Sequence, residues 1–198
     1  MRPLLVSVAA AALLSGCARN EPPGEPLVAV DPSSPLAAPN YLSMAGSSDQ
    51  FEIQSGQLAQ QMSQNAGIRQ IGQMLVADHT NSTQQLMAAA QSAGITPPPP
   101  ALRPEHAALL QQIQSAPPGQ FDMVFRDVQI QAHQQALQLH QGYASGGDTP
   151  ALRAVATNIV PVVQNHLTML QSLAVAPPPP PPPPAPAYQE PARPGERG

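Results

Sequence analysis

Apolar residues recur every three or four positions along four long segments of the chain, which is the spacing of one face of an α-helix. Capping residues, prolines and glycines delimit these segments, as expected at helix ends. No part of the same region alternates in the period of two that is typical of a β-strand. The sequence therefore predicts an all-α fold with long helices over about Ser47–Gln64, Ile68–Gly94, Pro118–Tyr143 and Asp148–Leu173.

The connection between the second and the fourth predicted helix is long and rich in proline. Pro97–Pro100 must be extended, and a short third helix follows from about Pro104 to Ser115. Four amphipathic helices of similar length bury their apolar faces best as a four-helix bundle. A connection of this length can cross the whole bundle, as in ferritin-like folds, and the simple up-and-down bundle is the alternative topology.

The first residues predict export and a lipid anchor. Arg2 precedes an apolar run from Leu4 to Leu14, which is too short to span a bilayer and reads as the core of a signal peptide. The residues Leu14-Ser15-Gly16-Cys17 resemble a lipobox, at which bacterial lipoproteins are lipidated and cleaved. Cys17 is the only cysteine, so lipidation would also remove an unpaired thiol from an exported protein. The alternative is an ordinary signal peptide followed by an incidental cysteine.

Composition divides the chain into four parts. Residues 1–16 are the predicted lipoprotein signal peptide, residues 17–44 a flexible linker, residues 45–175 the helical bundle, and residues 176–198 a Pro-rich disordered tail. The tail contains eight consecutive prolines, Pro177–Pro184, which favour polyproline II. It could be a stiff spacer, a ligand for another envelope protein, or an end without a partner.

Charge excludes one class of partner. The chain contains no lysine, its charged residues amount to 10%, and its net charge is -4. The bundle therefore has no basic patch that could neutralise phosphates, and a nucleic-acid partner is not expected. The membrane is instead the expected partner, through lipid on Cys17. Because Ala18, rather than aspartate, follows that cysteine, the predicted location is the periplasmic side of the outer membrane of a double-membrane bacterium.

Several short motifs in order along the helices carry a family resemblance. They lie at Glu52 with Leu58-Ala59, at Met74–His79, at Phe121-Asp122 with His133, and at Pro161 with His166. With them, residues 42–174 resemble the bacterial exported domain-of-unknown-function family four-one-four-two, which belongs to the ferritin-like group. The resemblance implies a ferritin-like bundle and supplies no settled activity.

Four polar residues are candidates for a site inside the bundle: Glu52, His79, His133 and His166. Counting along the helices places Glu52 level with His79 on neighbouring antiparallel helices, which predicts a hydrogen bond between them, with His133 as the nearest third group. The same count places His166 about 10 Å further along the axis, level with Asp127. His106 and His140 are expected at the surface, and Met62 in the core.

Two interpretations of these residues stay open. They could be core histidines with satisfied hydrogen bonds, or ligands of a transition metal such as Zn, Cu or Fe. Di-iron chemistry is disfavoured, because the second and fifth helices lack the Glu-x-x-His pair of ferritin-like di-iron proteins.

No catalytic constellation is present in the sequence, so an enzyme is not expected. The leading hypothesis is a lipid-anchored helical envelope module with a structural, stress-related or interaction role. The alternative is a metal-binding ferritin-like protein with a His/Glu site inside the bundle.

Overall fold

The computed structural model describes residues 30–175, which form five α-helices and no β-strand. The predicted signal peptide, Cys17 and the Pro-rich tail lie outside the described residues. Within them, no helix is both long and apolar enough to cross a bilayer. The helices are α1 (Ala38–Met62), α2 (Ala66–Ser92), α3 (Pro104–Gln114), α4 (Phe121–Gly146) and α5 (Pro150–Ser172). The predicted all-α class is confirmed.

Helix directions follow from side-chain contacts between the long helices. Tyr41 near the start of α1 bonds to His140 near the end of α4, and Ser63 just after α1 bonds to Asp122 at the start of α4. Helices α1 and α4 are therefore antiparallel, as α1 and α2 are across their short turn. Hence α2 and α4 run in the same direction, and the connection between them must cross the length of the bundle. The topology is the ferritin-like crossover rather than the simple up-and-down bundle.

The crossover connection covers one side of the bundle. Its short helix α3 packs against both α1 and α4. The ring of His106 on α3 stacks on Phe51 of α1 with centroids 5.9 Å apart, and Leu109 and Ile113 add to the buried core there. The connection is therefore part of the folded domain.

Helix α1 begins earlier than the sequence pattern predicts. Its first residue is Ala38, with Pro39 in the first turn, and the backbone N–H of Ala38 donates to both carboxylate oxygens of Asp148 at 3.1 Å. A side chain 110 positions away thus satisfies the helix start, which local pattern cannot show. The expected start at Ser47–Asp49 is wrong, and the linker predicted over residues 17–44 extends too far, since residues 38–44 are helical.

The core consists of two apolar clusters at successive heights of the bundle. One cluster contains Tyr41, Leu86, Tyr143 and Leu152, and the other contains Phe51, Leu75, Phe125 and Leu170. On each long helix one to three buried polar residues lie between the two clusters, and together they form a polar layer across the middle of the bundle.

Candidate metal centre

The polar layer brings three histidines from three helices together. His79 lies on α2, His133 on α4 and His166 on α5, and each ring is at most 4% exposed. Their ring centroids are 5.5–5.9 Å apart in every pairing. One ring nitrogen from each histidine lies within 4.8 Å of the other two.

Each of these rings has one nitrogen held by a hydrogen-bond acceptor. His79 Nδ1 is 2.8 Å from Asp49 Oδ1, His133 Nδ1 is 2.9 Å from the carbonyl oxygen of Gln129, and His166 Nε2 is 2.9 Å from Asp78 Oδ2. Since carboxylates and carbonyls only accept, these three nitrogens carry the protons. Each neutral ring therefore presents its other nitrogen as a bare lone pair.

The bare nitrogens have no partner among the described residues. His79 Nε2, His133 Nε2 and His166 Nδ1 are all buried and make no hydrogen bond, and Glu52 Oε2 is buried and unpartnered beside them. The other oxygen of Glu52 lies 3.5 Å from His133 Nδ1. Buried polar atoms rarely stay unpaired, because each costs about 1–3 kcal/mol. Four in one layer therefore point to a ligand.

Burial and neighbouring charges set the protonation of this layer. Burial raises the pKa of Glu52 to about 8. Burial, together with the charges of His79 and His166, lowers the pKa of His133 to about 3, and burial beside His79 lowers the pKa of His166. Burial also opposes protonation of His79, but the hydrogen bond and charge of Asp49 outweigh it, so the pKa of His79 is raised overall. At neutral pH His133 and His166 are uncharged, as metal ligands must be.

The arrangement matches the usual organisation of a histidine metal site. A ligating imidazole commonly donates its other N–H to a carboxylate or a backbone carbonyl, which fixes its tautomer and orientation. Nitrogens around a tetrahedral ion with bonds of about 2.0–2.1 Å lie about 3.3 Å from each other, so the rings would move inward on binding. His79, His133 and His166 are the groups that could hold an ion here, and Glu52 lies next to His133.

Two expectations about this layer are wrong. His79 bonds to Asp49 rather than to Glu52, which lies one turn later on α1 and approaches His133 instead. His166 is in the same layer as His79 and not 10 Å beyond it. Its height must be counted from Pro150, where α5 begins, and not from Gly146, where α4 ends. Asp127, its expected partner, pairs with Arg126 instead.

Sequence reasoning missed two carboxylates that orient the histidines. Asp49 was assigned to a helix cap, although it is buried inside α1. Asp78 points about 100° away from the adjacent His79. That divergence is useful, since Asp78 reaches His166 on α5 while His79 faces the interior. In the sequence, the adjacent Asp78-His79 pair was the feature that could have indicated a carboxylate partner for a histidine on another helix.

Three further residues differ from their expected exposure. His106 and His140 are buried rather than at the surface, and Met62 is 47% exposed rather than in the core. His140 Nδ1 bonds to the hydroxyl of Tyr41 at 2.8 Å, one layer below the three histidines. His106 Nδ1 bonds to Ser47. Both therefore lie outside the candidate metal centre.

His140 should make the fold sensitive to acid. Burial lowers the pKa of His140 to about 4, against about 6.5 in an unfolded chain. Between these values the unfolded state binds the proton and the folded state does not. The contribution of His140 to the free energy of unfolding is therefore fully present above pH 6.5 and is lost as the pH falls toward 4. The loss is on the order of 3 kcal/mol. His140→Asn, which keeps an acceptor for Tyr41, should flatten the pH dependence of urea unfolding over this interval. An unchanged slope would contradict the assignment.

Comparison with known proteins gives a family and a fold. The family model described as "Domain of unknown function (DUF4142)" matches residues 26–173. No curated protein matches the chain. Two solved structures share its fold. "CopM in the Cu(II)-bound form" has a TM-score of 0.59 and 15% identity, with 68% of this chain and 93% of that chain covered. The "DUF305 fragment from Deinococcus radiodurans" has a TM-score of 0.59 and 17% identity, with 71% and 96% covered. Both likenesses concern the helical bundle.

Proposed function

We propose that this chain, which belongs to the DUF4142 family, binds one divalent transition-metal ion through His79, His133 and His166, with Glu52 as the fourth ligand. The observation that carries the proposal is the set of three bare, unpartnered imidazole nitrogens in one buried layer. A purely structural histidine cluster would pair these nitrogens with donors. A cation is the single occupant that satisfies all three lone pairs and the free Glu52 oxygen at once.

Charge in the layer also favours a cation. Asp49 and Asp78 stand behind two of the histidines, and Glu52 becomes a third carboxylate when it loses its proton to a bound ion. These groups offset the charge of a divalent ion held by buried imidazole rings. Because burial raises the pKa of Glu52 to about 8, binding at neutral pH displaces its proton.

The ligand set favours copper or zinc over hard cations. Imidazole nitrogens suit Cu, Zn, Fe and Ni, whereas Mg and Ca prefer oxygen. Among divalent first-row ions Cu(II) binds a given nitrogen site most tightly. We therefore propose that Cu(II) binds this site most tightly and that Zn(II) competes with it. The fold is shared with a protein described in a Cu(II)-bound form, which is consistent with this order.

The proposed role is to hold the ion rather than to turn over a substrate. Three histidines and one carboxylate complete a tetrahedral coordination, and sites without an open position are typically structural or storage sites. All four side chains are at most 4% exposed. A metal-holding function also agrees with the lack of a Glu-x-x-His pair on α2 and α5.

Metal titration of the purified, untagged chain tests the proposal. Cu(II) and Zn(II) should each bind at one ion per chain, and an ion at 100 times its dissociation constant should stabilise the fold by about 2.7 kcal/mol. Calorimetric titration gives the stoichiometry, and thermal unfolding gives the stabilisation. Mg(II) serves as the control and should have no effect. Lack of saturable binding of either transition metal would refute the proposed function.

The lipid anchor on Cys17, the location at the outer membrane and an envelope partner for the tail stay predictions from the sequence. They place the proposed metal site on the periplasmic side of the membrane. Cys17→Ala should release the protein into the soluble fraction of lysed cells. If this variant still sediments with membranes, the anchor lies elsewhere.

A further inference from the structure

A cavity of about 480 Å³ lies between α1, α3 and α4, away from the proposed metal ligands. Its walls are largely apolar and include Leu36, Met44 and Leu139. Cavities of about 300–1,000 Å³ with apolar walls and a few polar groups are typical of small-molecule sites. None of the proposed metal ligands lines it, so its occupation does not depend on the metal.

Two buried polar groups line this cavity without a partner. Ser48 is 3% exposed and His106 is 9% exposed, and both are lining residues. The Ser48 hydroxyl and His106 Nε2 make no hydrogen bond with any described residue, whereas His106 Nδ1 is 2.6 Å from the hydroxyl of Ser47. The cavity therefore contains polar groups that a ligand could satisfy.

The hydrogen bonds of Ser47 favour one tautomer of His106, the one that gives the Ser47 hydroxyl proton an acceptor. Ser47 Oγ accepts the backbone N–H of Arg103 at 2.8 Å, and its own proton has His106 Nδ1 as the acceptor. In neutral His106 the proton is then on Nε2. Burial lowers the pKa of His106, which keeps the ring neutral. The cavity thus offers two donors, Nε2–H of His106 and the hydroxyl of Ser48.

Charge around the cavity selects against ions. Glu105 lines it, and its carboxylate is bound by Arg103 at 2.6 Å. No arginine is among the described residues that line the cavity, and Arg103 is already paired with Glu105, so no cation is left there to bind an anion. A cation would have to leave water for predominantly apolar walls. A neutral occupant is favoured.

We infer that this cavity is a binding site for a neutral, mainly apolar small molecule whose carbonyl oxygen accepts hydrogen bonds from His106 and Ser48. The apolar body of the molecule packs against Leu36, Met44 and Leu139. This would give the chain a second binding function that is separate from metal binding.

The dye Nile red is a suitable probe, because it is neutral, largely apolar and carries a ring carbonyl. The experiment uses the full chain with Cys17→Ala, because a chain without lipid can be studied without detergent. Dye fluorescence should rise to saturation on titration, with one binding site per chain. Gly142 lines the cavity, and a Cβ added there meets no atom within 4 Å. Gly142→Leu should therefore reduce the space available to the dye without disturbing the helix and weaken binding by more than about tenfold. The matched Gly142→Ala should bind as the parent does.

Ser48→Ala removes one donor with little change of volume and should weaken binding about threefold to tenfold. Circular dichroism verifies that each variant is folded. The inference is overturned if the dye does not bind, if Gly142→Leu binds as tightly as Gly142→Ala, or if Ser48→Ala has no effect. It is also overturned if Leu27→Ser with Val28→Ser raises the affinity, because the chain's own apolar segment would then be the occupant.

Discussion

Replacing His133 by leucine should lower the affinity for Cu(II) by about 100-fold or more. His133 Nε2 is one of the three bare nitrogens, and its ring is held in place by the Gln129 carbonyl. Loss of a direct ligand should exceed the 10–100-fold effect that is typical of outer-shell changes. Competition titration with a chelator of known affinity measures the change.

The same variant separates a metal site from a structural histidine cluster. Leucine removes a buried nitrogen that has no partner, at the cost of the hydrogen bond to Gln129. We therefore expect the metal-free variant to be about as stable as the parent, or more stable. If the histidines serve only the fold, His133→Leu should instead be strongly destabilised in urea while metal addition changes neither protein.

Two further variants test whether the loss of Cu(II) affinity in His133→Leu is specific to the metal layer. Asp49→Asn keeps the size of the residue that orients His79 but removes its charge, and it should weaken Cu(II) binding about 10–100-fold. His140→Asn alters a buried histidine outside the metal layer and should leave the affinity within about twofold. Equal losses in His133→Leu and His140→Asn would show that general loosening of the bundle explains the effect.

Substitution of Gly56 by alanine should destabilise the bundle by about 1–3 kcal/mol. A Cβ at Gly56 would lie 2.7 Å from the carbonyl oxygen of Gly72 on α2, and a Cβ at Gly72 would lie 2.6 Å from the carbonyl oxygen of Gly56. These contacts are with backbone, so relief requires the two helices to move apart. The strain should exceed the gain in helix propensity from glycine to alanine.

Gly142→Ala is the matched control, since it makes the same change inside a helix where the new Cβ meets nothing within 4 Å. It should stabilise the fold by about 0.5–1 kcal/mol. Urea unfolding of both variants measures the difference. Similar stabilisation by both would show that α1 and α2 tolerate a wider separation at Gly56. The close approach matters for the site, because Asp49 and His79 meet across the same helix pair.

Much of the fold could be predicted from the sequence. The apolar periodicity, the breaks between the helices and the proline-rich connection predicted all five helices, apart from the first turns of α1, because each of these signals acts through local backbone geometry. His79, His133 and His166 were singled out for a physical reason as well, since imidazoles on apolar helix faces need partners.

The tertiary structure decided how these parts combine. Local signals do not record helix direction across a long connection, so the crossover followed only from pairs such as Tyr41 with His140. The start of α1 depends on Asp148, 110 positions away. Sequence counting misplaced His166 along the bundle axis, and it could not choose between Asp49 and Glu52 as the partner of His79. These two carboxylates lie one turn apart on α1, and only helix packing determines which one faces α2 and which one faces α4.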